Sequence, residues 1–138
     1  MALLEGIAAY LDQHGLVDYR PGEVGGDCFL EKVPQQPDHV VSLFVYGGDI
    51  PDAKLGYDLP LLQVRTRSGS DPAQSRATSK AIYDLLHGLS LVALPEGTTL
   101  VNCIAQQSDP THIGADDLGR HEHTINYQIE TRNTNTRE

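Results

Sequence analysis

The amino-acid sequence predicts an α+β fold, in which one mostly antiparallel β-sheet carries two packed α-helices in a single domain. Two segments repeat their apolar residues at helical spacing, one at the N-terminus and one in the middle of the chain. Strand-like runs are grouped between these segments and after the second, an order typical of α+β proteins. The chain has 138 residues, of which 39% are hydrophobic, enough for one core. We expect the domain to span residues 1–131 and a polar, flexible tail to span residues 132–138.

The first predicted helix covers residues 2–14. Its apolar positions fall on one stripe, which indicates a single buried face. Gly15 is predicted to end the helix, because glycine commonly follows the last helical turn. The residues of the stripe are Leu3, Leu4, Ile7, Ala8 and Leu11.

Five longer strands are predicted from apolar runs, at residues 27–33, 39–46, 61–67, 100–106 and 122–131. The run at 39–46 is nearly continuous, which predicts burial on both faces of that strand. The last strand alternates cleanly, with Ile125, Tyr127 and Ile129 on its apolar side. Residues 89–94 are either a short strand or a connector.

The second predicted helix begins after Asp71, a good N-cap, with Pro72 in the first helical position and Gly88 after its end. Small alanines at intervals of four residues would let this helix lie close to the sheet. The predicted buried face comprises Ala73, Ala77, Ala81, Ile82, Leu85 and Leu86. The opposite stripe, predicted to face water, comprises Arg76, Lys80 and Asp84.

The charge and cysteine content exclude several classes of protein. The formal net charge is −9, and an acidic domain repels phosphate backbones, so direct DNA binding is disfavoured. No apolar stretch approaches the roughly 18 residues of a membrane span, and the first residues lack a basic signal region. We therefore expect no membrane contact and folding in the cytoplasm of the producing cell. Cys28 and Cys103 lie in apolar runs and are predicted to be buried free thiols.

A search for catalytic and metal-binding patterns leaves one weak candidate. His121 and His123 share a face of the last predicted strand, and His112, Asp116 and Asp117 precede them. Imidazoles and carboxylates suit zinc or manganese, but the spacing matches neither HExxH nor paired CxxC. An exposed pair on an edge strand is the favoured interpretation. The sequence thus predicts no catalytic residue, no metal site and no cofactor.

Two long loops, at residues 47–59 and 108–119, are predicted to form an assembly surface. They mix aspartates with four apolar residues, which solubility alone would not require. We expect both loops to be mobile in the free chain and to order against a neighbouring subunit. The candidate assembly residues are Asp49, Ile50, Asp52, Leu55, Asp58, Ile113, Asp116, Asp117, Leu118 and Arg120.

Arg65 and Arg67 point to the same side of the strand at residues 61–67. Nothing adjacent in the sequence must neutralise them. A solvated strand face is the default interpretation. The alternative is an intersubunit salt bridge, which would set the register between subunits.

The order of three stretches resembles a known family. These are the N-terminal helix with its glycine-rich turn, the strand at 59–67 followed by the Asp71-capped helix, and residues 110–127 with Ile113-Gly114, Gly119-Arg120 and Asn126-Tyr127. Together they resemble the minor capsid or tail terminator proteins of bacteriophages with long, non-contractile tails (siphophages). The resemblance spans nearly the whole chain, and its strength lies in the order of the motifs.

The resemblance implies a structural virion protein that is not an enzyme. Such a subunit would form a homohexameric ring at the head-proximal end of the tail, assembled in the host cytoplasm. The ring would end polymerisation of the tail tube protein and then bind a head-completion or connector protein. Viral DNA would only pass through its lumen. The alternatives are a neck or head-completion adaptor of similar fold and a metal-dependent hydrolase that uses His121, His123 and Asp116.

Overall fold

A computed structural model describes residues 2–48 and 57–132 of the chain. The two helices are α1 (Ala2–Gln13) and α2 (Pro72–Leu86). The strands are β1 (Cys28–Leu30), β2 (Val40–Gly48), β3 (Tyr57–Asp58), β4 (Pro60–Arg67), β5 (Ser90–Ala93), β6 (Thr99–Ala105), β7 (Thr111–Ala115) and β8 (His121–Arg132). No helix in the described ranges is long and apolar enough to cross a membrane.

All eight strands form one sheet, in the order β1-β2-β4-β8-β6-β5, and β3 and β7 also pair with β8. Among the strands of the described ranges, only the β1–β2 pair is parallel. With 12 residues, β8 is long enough to pair β7 along its first part and β6 along its second. The predicted α+β fold with a mostly antiparallel sheet and two helices is confirmed.

The core lies between the helices and one face of the sheet, which we call the inner face. Cross-strand register puts Leu43, Val64 and Ile125 side by side on this face, and all three are buried. Their cluster includes all five predicted core residues of α1. Burial of each such side chain stabilises the fold by about 1.5–3 kcal/mol. Packing on the inner face therefore stabilises the sheet.

The start of α2 was predicted correctly, but its buried face was not. Asp71 is the N-cap, and its Oδ1 accepts the N–H of Ala73 at 3.0 Å. The buried residues are Ser75, Ser79, Ile82 and Leu86, whereas Ala73 and Ala77 are exposed and Ala81 and Leu85 are half-buried. Serine is as small as alanine, and here the Ser75 hydroxyl donates to the Thr66 carbonyl oxygen at 3.1 Å. That hydrogen bond removes the penalty of burying a hydroxyl against β4.

Several element boundaries differ from the prediction. β1 is shorter than residues 27–33, because Glu31 adopts a φ of 60° that ends the extended backbone. The two predicted loops contain β3 and β7, and β8 continues to Arg132, one residue beyond the expected domain limit. Residues 133–138, most of the predicted tail, lie outside the described part of the chain.

Candidate assembly surface

The predicted loop at residues 108–119 is largely a β-hairpin. β7 pairs with the start of β8, and the connecting turn is closed by hydrogen bonds between Asp116 and Arg120 in both directions. Asp116 Oδ1 also accepts the N–H of Leu118 at 3.0 Å. The N–H of Arg120 lowers the pKa of the Asp116 carboxyl most, and the Arg120 guanidinium and the Leu118 N–H lower it further against the effect of desolvation. The carboxylate therefore holds the turn in one shape.

Two apolar side chains protrude from this hairpin, and we call them the hairpin patch. Ile113 is 48% exposed and Leu118 is 66% exposed, and the neighbouring Asp117 is exposed as well. Both apolar residues were predicted as assembly residues. Their exposure on an ordered hairpin is consistent with that role, which stays a prediction.

Arg120 and Asp116 anchor the base of the hairpin. Arg120 is buried, and its Nε donates to Asp116 Oδ2 at 2.8 Å. Its Nη1 donates to the carbonyl oxygen of Gln35 and lies 3.4 Å from Asp38 Oδ1. The Arg120 guanidinium thus makes its bonds within the chain, and a role for Arg120 in assembly stays a prediction.

The side chain of Arg67 is also buried within the chain. It is 3% exposed, and its guanidinium donates to the carbonyl oxygens of Asp38 at 3.1 Å and Pro37 at 2.7 Å, with a weaker bond to Gln35 at 3.4 Å. Burial lowers its pKa first, and the nearby Arg120 guanidinium lowers it further. The solvated-face interpretation of Arg67 is wrong, because its side chain is buried. A salt bridge between Arg67 and a neighbouring subunit stays a prediction.

Arg65 differs from Arg67, although both lie on the same face of β4. Its Nε donates to Glu122 Oε1 of β8 at 2.7 Å, and its side chain is 35% exposed. The neutralising partner is 57 residues away in sequence, so a local search could not find it. A contact between Arg65 and a neighbouring subunit stays a prediction.

The other predicted loop, at residues 47–59, is only partly described. Asp58 belongs to β3 and pairs with Thr131 of β8. The remaining candidates in this loop, Asp49, Ile50, Asp52 and Leu55, lie outside the described residues.

The edge strand β5 carries an exposed apolar residue that was not predicted from the sequence. Leu91 is 76% exposed, and its φ of 53° is a left-handed conformation that leucine rarely adopts. β5 pairs only with β6, so its outer edge has no partner strand among the described residues. The available signal was the run Leu-Ser-Leu-Val-Ala-Leu at 89–94, too apolar for a surface connector.

The histidine arrangement does not support the hydrolase alternative. β8 is a central strand, so the expectation of an exposed edge-strand pair is wrong for His123, which is buried with its Nδ1 2.8 Å from Ser75 Oγ. Asp116, the carboxylate proposed with it, is bound to Arg120. Among the described residues, no group of three histidine, cysteine or acidic side chains is placed to hold a metal ion.

Neither the cysteines nor a shallow groove on the described surface presents a set of catalytic groups. Cys28 and Cys103 are buried and free, as predicted, and burial raises the pKa of each thiol to about 12. The groove, of about 190 Å³, lies on the sheet face opposite the helices. Its lining is Leu59, Asn102, Ile104, Gln128, Ile129 and Glu130, a single carboxylate among amides and apolar groups.

These observations define a small α+β domain with apolar side chains presented on a hairpin and on a strand edge. A family model described as bacteriophage tail terminator protein matches residues 10–133. The chain therefore belongs to the bacteriophage tail terminator family, and it is a structural protein of the virion tail.

A chain of a solved virion structure has a similar fold. A chain of the structure titled "Virion of native gene transfer agent (GTA) particle" is similar, with a TM-score of 0.50 and 18% sequence identity over 75% of this chain and 78% of that chain. At this identity the likeness shows a shared fold. No curated protein sequence matches the chain.

Proposed function

We propose that the protein closes the head-proximal end of a siphophage tail tube as a homohexameric ring. The ring stops the addition of tail tube protein and then binds a head-completion or connector protein. Family membership supports this function, and the observation that carries it here is the hairpin patch. Two apolar side chains held out on a hydrogen-bonded hairpin suit a partner surface, because solubility alone would favour polar residues there.

A closed ring requires that one surface of each subunit meets a different surface of the next. The hairpin patch and the β5 edge are two such surfaces. We therefore assign the ring contact to the hairpin patch of one copy and Leu91 on the β5 edge of the next. Burial of each leucine would contribute up to about 1.5–3 kcal/mol before the cost of association, so a single contact is weak and closure of the ring makes it stable.

The acidic charge suits the passage of DNA through such a ring. Six copies at −9 each carry about −54. A lumen of this sign repels the phosphate backbone and keeps the DNA from binding to the ring. Viral DNA is accordingly a passing molecule in this proposal.

Two variants test the ring contact directly. Leu91→Asp removes the edge surface, and the double variant Ile113→Asp, Leu118→Asp removes the hairpin patch. Each variant alone should be monomeric by native mass spectrometry. Because a single contact is weak, the two variants should form a one-to-one dimer only when they are mixed at about 1 mM, as measured by sedimentation equilibrium. The hairpin patch of one and the β5 edge of the other are intact, and their remaining surfaces are blocked.

The matched control is Val24→Asp, which introduces the same charge at an apolar residue that is 99% exposed and lies outside both surfaces. This variant should form rings like the unmodified protein. A mixture of the two test variants that stays monomeric would contradict the assigned contact.

The biological test is complementation of a phage that lacks its tail terminator. The unmodified chain should give tails of uniform length attached to heads. The Leu118→Asp variant should give tubes of uncontrolled length and heads without tails. Tails of normal length that fail to join heads would instead support the adaptor function.

A further inference from the structure

Three histidines meet on the inner face of the sheet where β7 pairs with β8. His112 comes from β7, and His121 and His123 come from β8. His112 Nε2 lies 3.0 Å from His121 Nδ1, and the ring centroids of His112 and His123 are 5.0 Å apart. His123 is buried with its Nδ1 against Ser75 Oγ in the first turn of α2. The cluster therefore joins the hairpin to the helix.

The short distance between His112 and His121 limits how many protons the pair can hold. A hydrogen bond between two imidazole nitrogens needs one nitrogen that carries a hydrogen and one that does not. This is possible when both rings are neutral and when only one of them is charged. When both rings are charged, each nitrogen carries a hydrogen and the two N–H groups face each other at 3.0 Å. A second added proton must therefore break this bond.

The charged groups that face His123 oppose its protonation. Arg76 of α2 acts on His123, and Ser75 belongs to the positive end of the helix dipole. The acid at that end, Asp71, already accepts the Ala73 N–H. β4 contributes Thr66, an uncharged side chain. The other α2 charge near β7, Lys80, lies 3.7 Å from Asp109 and donates to the Ser108 carbonyl oxygen.

His123 is affected most, because it is buried. Desolvation lowers the pKa of His123, and His112, Arg76 and His121 lower it further, from an ordinary value of 6.5. The folded chain then binds fewer protons than the unfolded chain at acid pH. The contribution of neutral His123 to stability is therefore complete above pH 6.5. As the pH falls below that value, the unfolding equilibrium constant rises by up to tenfold per pH unit for each proton that the unfolded chain binds in excess.

We propose that His112, His121 and His123 form a proton-operated latch, which fastens β7 to β8 and α2 at neutral pH and releases it in acid. Release would loosen the strand that carries Ile113. The consequence for ring assembly rests on the proposed function, whereas the latch itself is a property of the single chain.

Hydrogen exchange in the monomeric Leu91→Asp variant tests the latch without any ring. After correction for intrinsic exchange rates, the amides of β7 should lose at least about tenfold protection between pH 7.5 and 5.0. The amides of β4 should change far less. The measurement must be local to β7, because a histidine outside the cluster also makes a structural hydrogen bond. The Nδ1 of His87 accepts the Ala105 N–H, so a change in global stability with pH would not report on the cluster alone.

His112→Gln in the same background keeps a side chain that can hydrogen-bond but cannot be protonated. Its β7 protection should depend clearly less on pH than that of the parent, because the His112–His121 bond is gone and only the contribution of buried His123 remains. His121→Gln provides a second variant if the first does not fold. His14→Gln, which changes a histidine outside the cluster, should retain the full pH dependence. Equal pH dependence in His112→Gln and the parent, or one equivalent of zinc bound by the three rings, would overturn the latch. Loss of ring formation with the latch intact would count against the proposed function alone.

Discussion

Replacement of Arg67 by methionine tests whether the two arginines of β4 have the different roles that their contacts indicate. Methionine retains most of the aliphatic volume and removes the guanidinium. The change removes two well-placed hydrogen bonds, at 3.1 and 2.7 Å, and a weak one at 3.4 Å. Hydrogen bonds from a charged donor contribute about 1.5–3 kcal/mol each, so the gross loss is about 3–6 kcal/mol.

Two effects reduce this loss. The carbonyl oxygens released at residues 35–38 lie in an exposed segment, so water can replace the guanidinium. The variant also relieves the burial of Arg67 and its repulsion by Arg120, the two causes of its lowered pKa. We expect a net loss of about 1–3 kcal/mol in the free energy of unfolding.

The matched control is Arg65→Met, on the same strand and the same face. Arg65 is partly exposed and makes one ion pair, with Glu122, so its loss should cost under about 1 kcal/mol. Urea unfolding followed by circular dichroism measures both values, since the chain has no tryptophan to report by fluorescence. Equal losses for the two variants, at unchanged denaturant dependence, would refute the distinction between a buried and a surface arginine.

Four further outcomes follow from the fold and the composition. Leu86→Ala should cost about 2–5 kcal/mol, because Leu86 is fully buried, and Arg76→Ala should cost under about 0.5 kcal/mol in the same urea assay. A thiol reagent at pH 8 should leave Cys28 and Cys103 unmodified until the chain unfolds, because the pKa of each thiol is about 12. Purified protein should carry no stoichiometric metal by elemental analysis, and an equivalent of zinc lost in a His121→Ala, His123→Ala variant would contradict this. A Gly-Ser linker in place of residues 49–56 should change stability by under about 1 kcal/mol, because loop closure depends weakly on length, yet abolish tail capping in the complementation assay.

The fold was predictable where the local pattern and the tertiary environment require the same residues. The stripe of α1, the Asp71 cap and the alternation of β8 all carry their own signal, and all three are present in the structure. The face of α2 was not predictable in this way, because alanine and serine are of similar size. At position 75 the hydrogen bond from the Ser75 hydroxyl to the Thr66 carbonyl oxygen decides between them, and the sequence cannot place that strand beside the helix.

The candidate site was predicted in part for the same reason. Ile113 and Leu118 are out of place in an acidic loop, so sequence alone marks them as surface residues that need an explanation. No feature of the neighbouring sequence indicates that Arg120 is buried. Its burial depends on Gln35 and Asp38, which lie 85 and 82 residues earlier in the chain, and only the tertiary structure brings them together.

The defined conformation of the hairpin before binding affects how strongly subunits can associate. The sequence favoured a mobile loop that orders on contact, and such ordering consumes part of the binding free energy. The structure instead fixes the turn by Asp116 and its base by Arg120, so Ile113 and Leu118 are already presented before any partner binds. A preformed surface avoids most of the ordering cost, which typically amounts to about 0.5–1.5 kcal/mol for each immobilised side chain. In the proposed ring, more of the free energy from burial of Ile113, Leu118 and Leu91 is then available for association, provided that β7 remains fastened to β8.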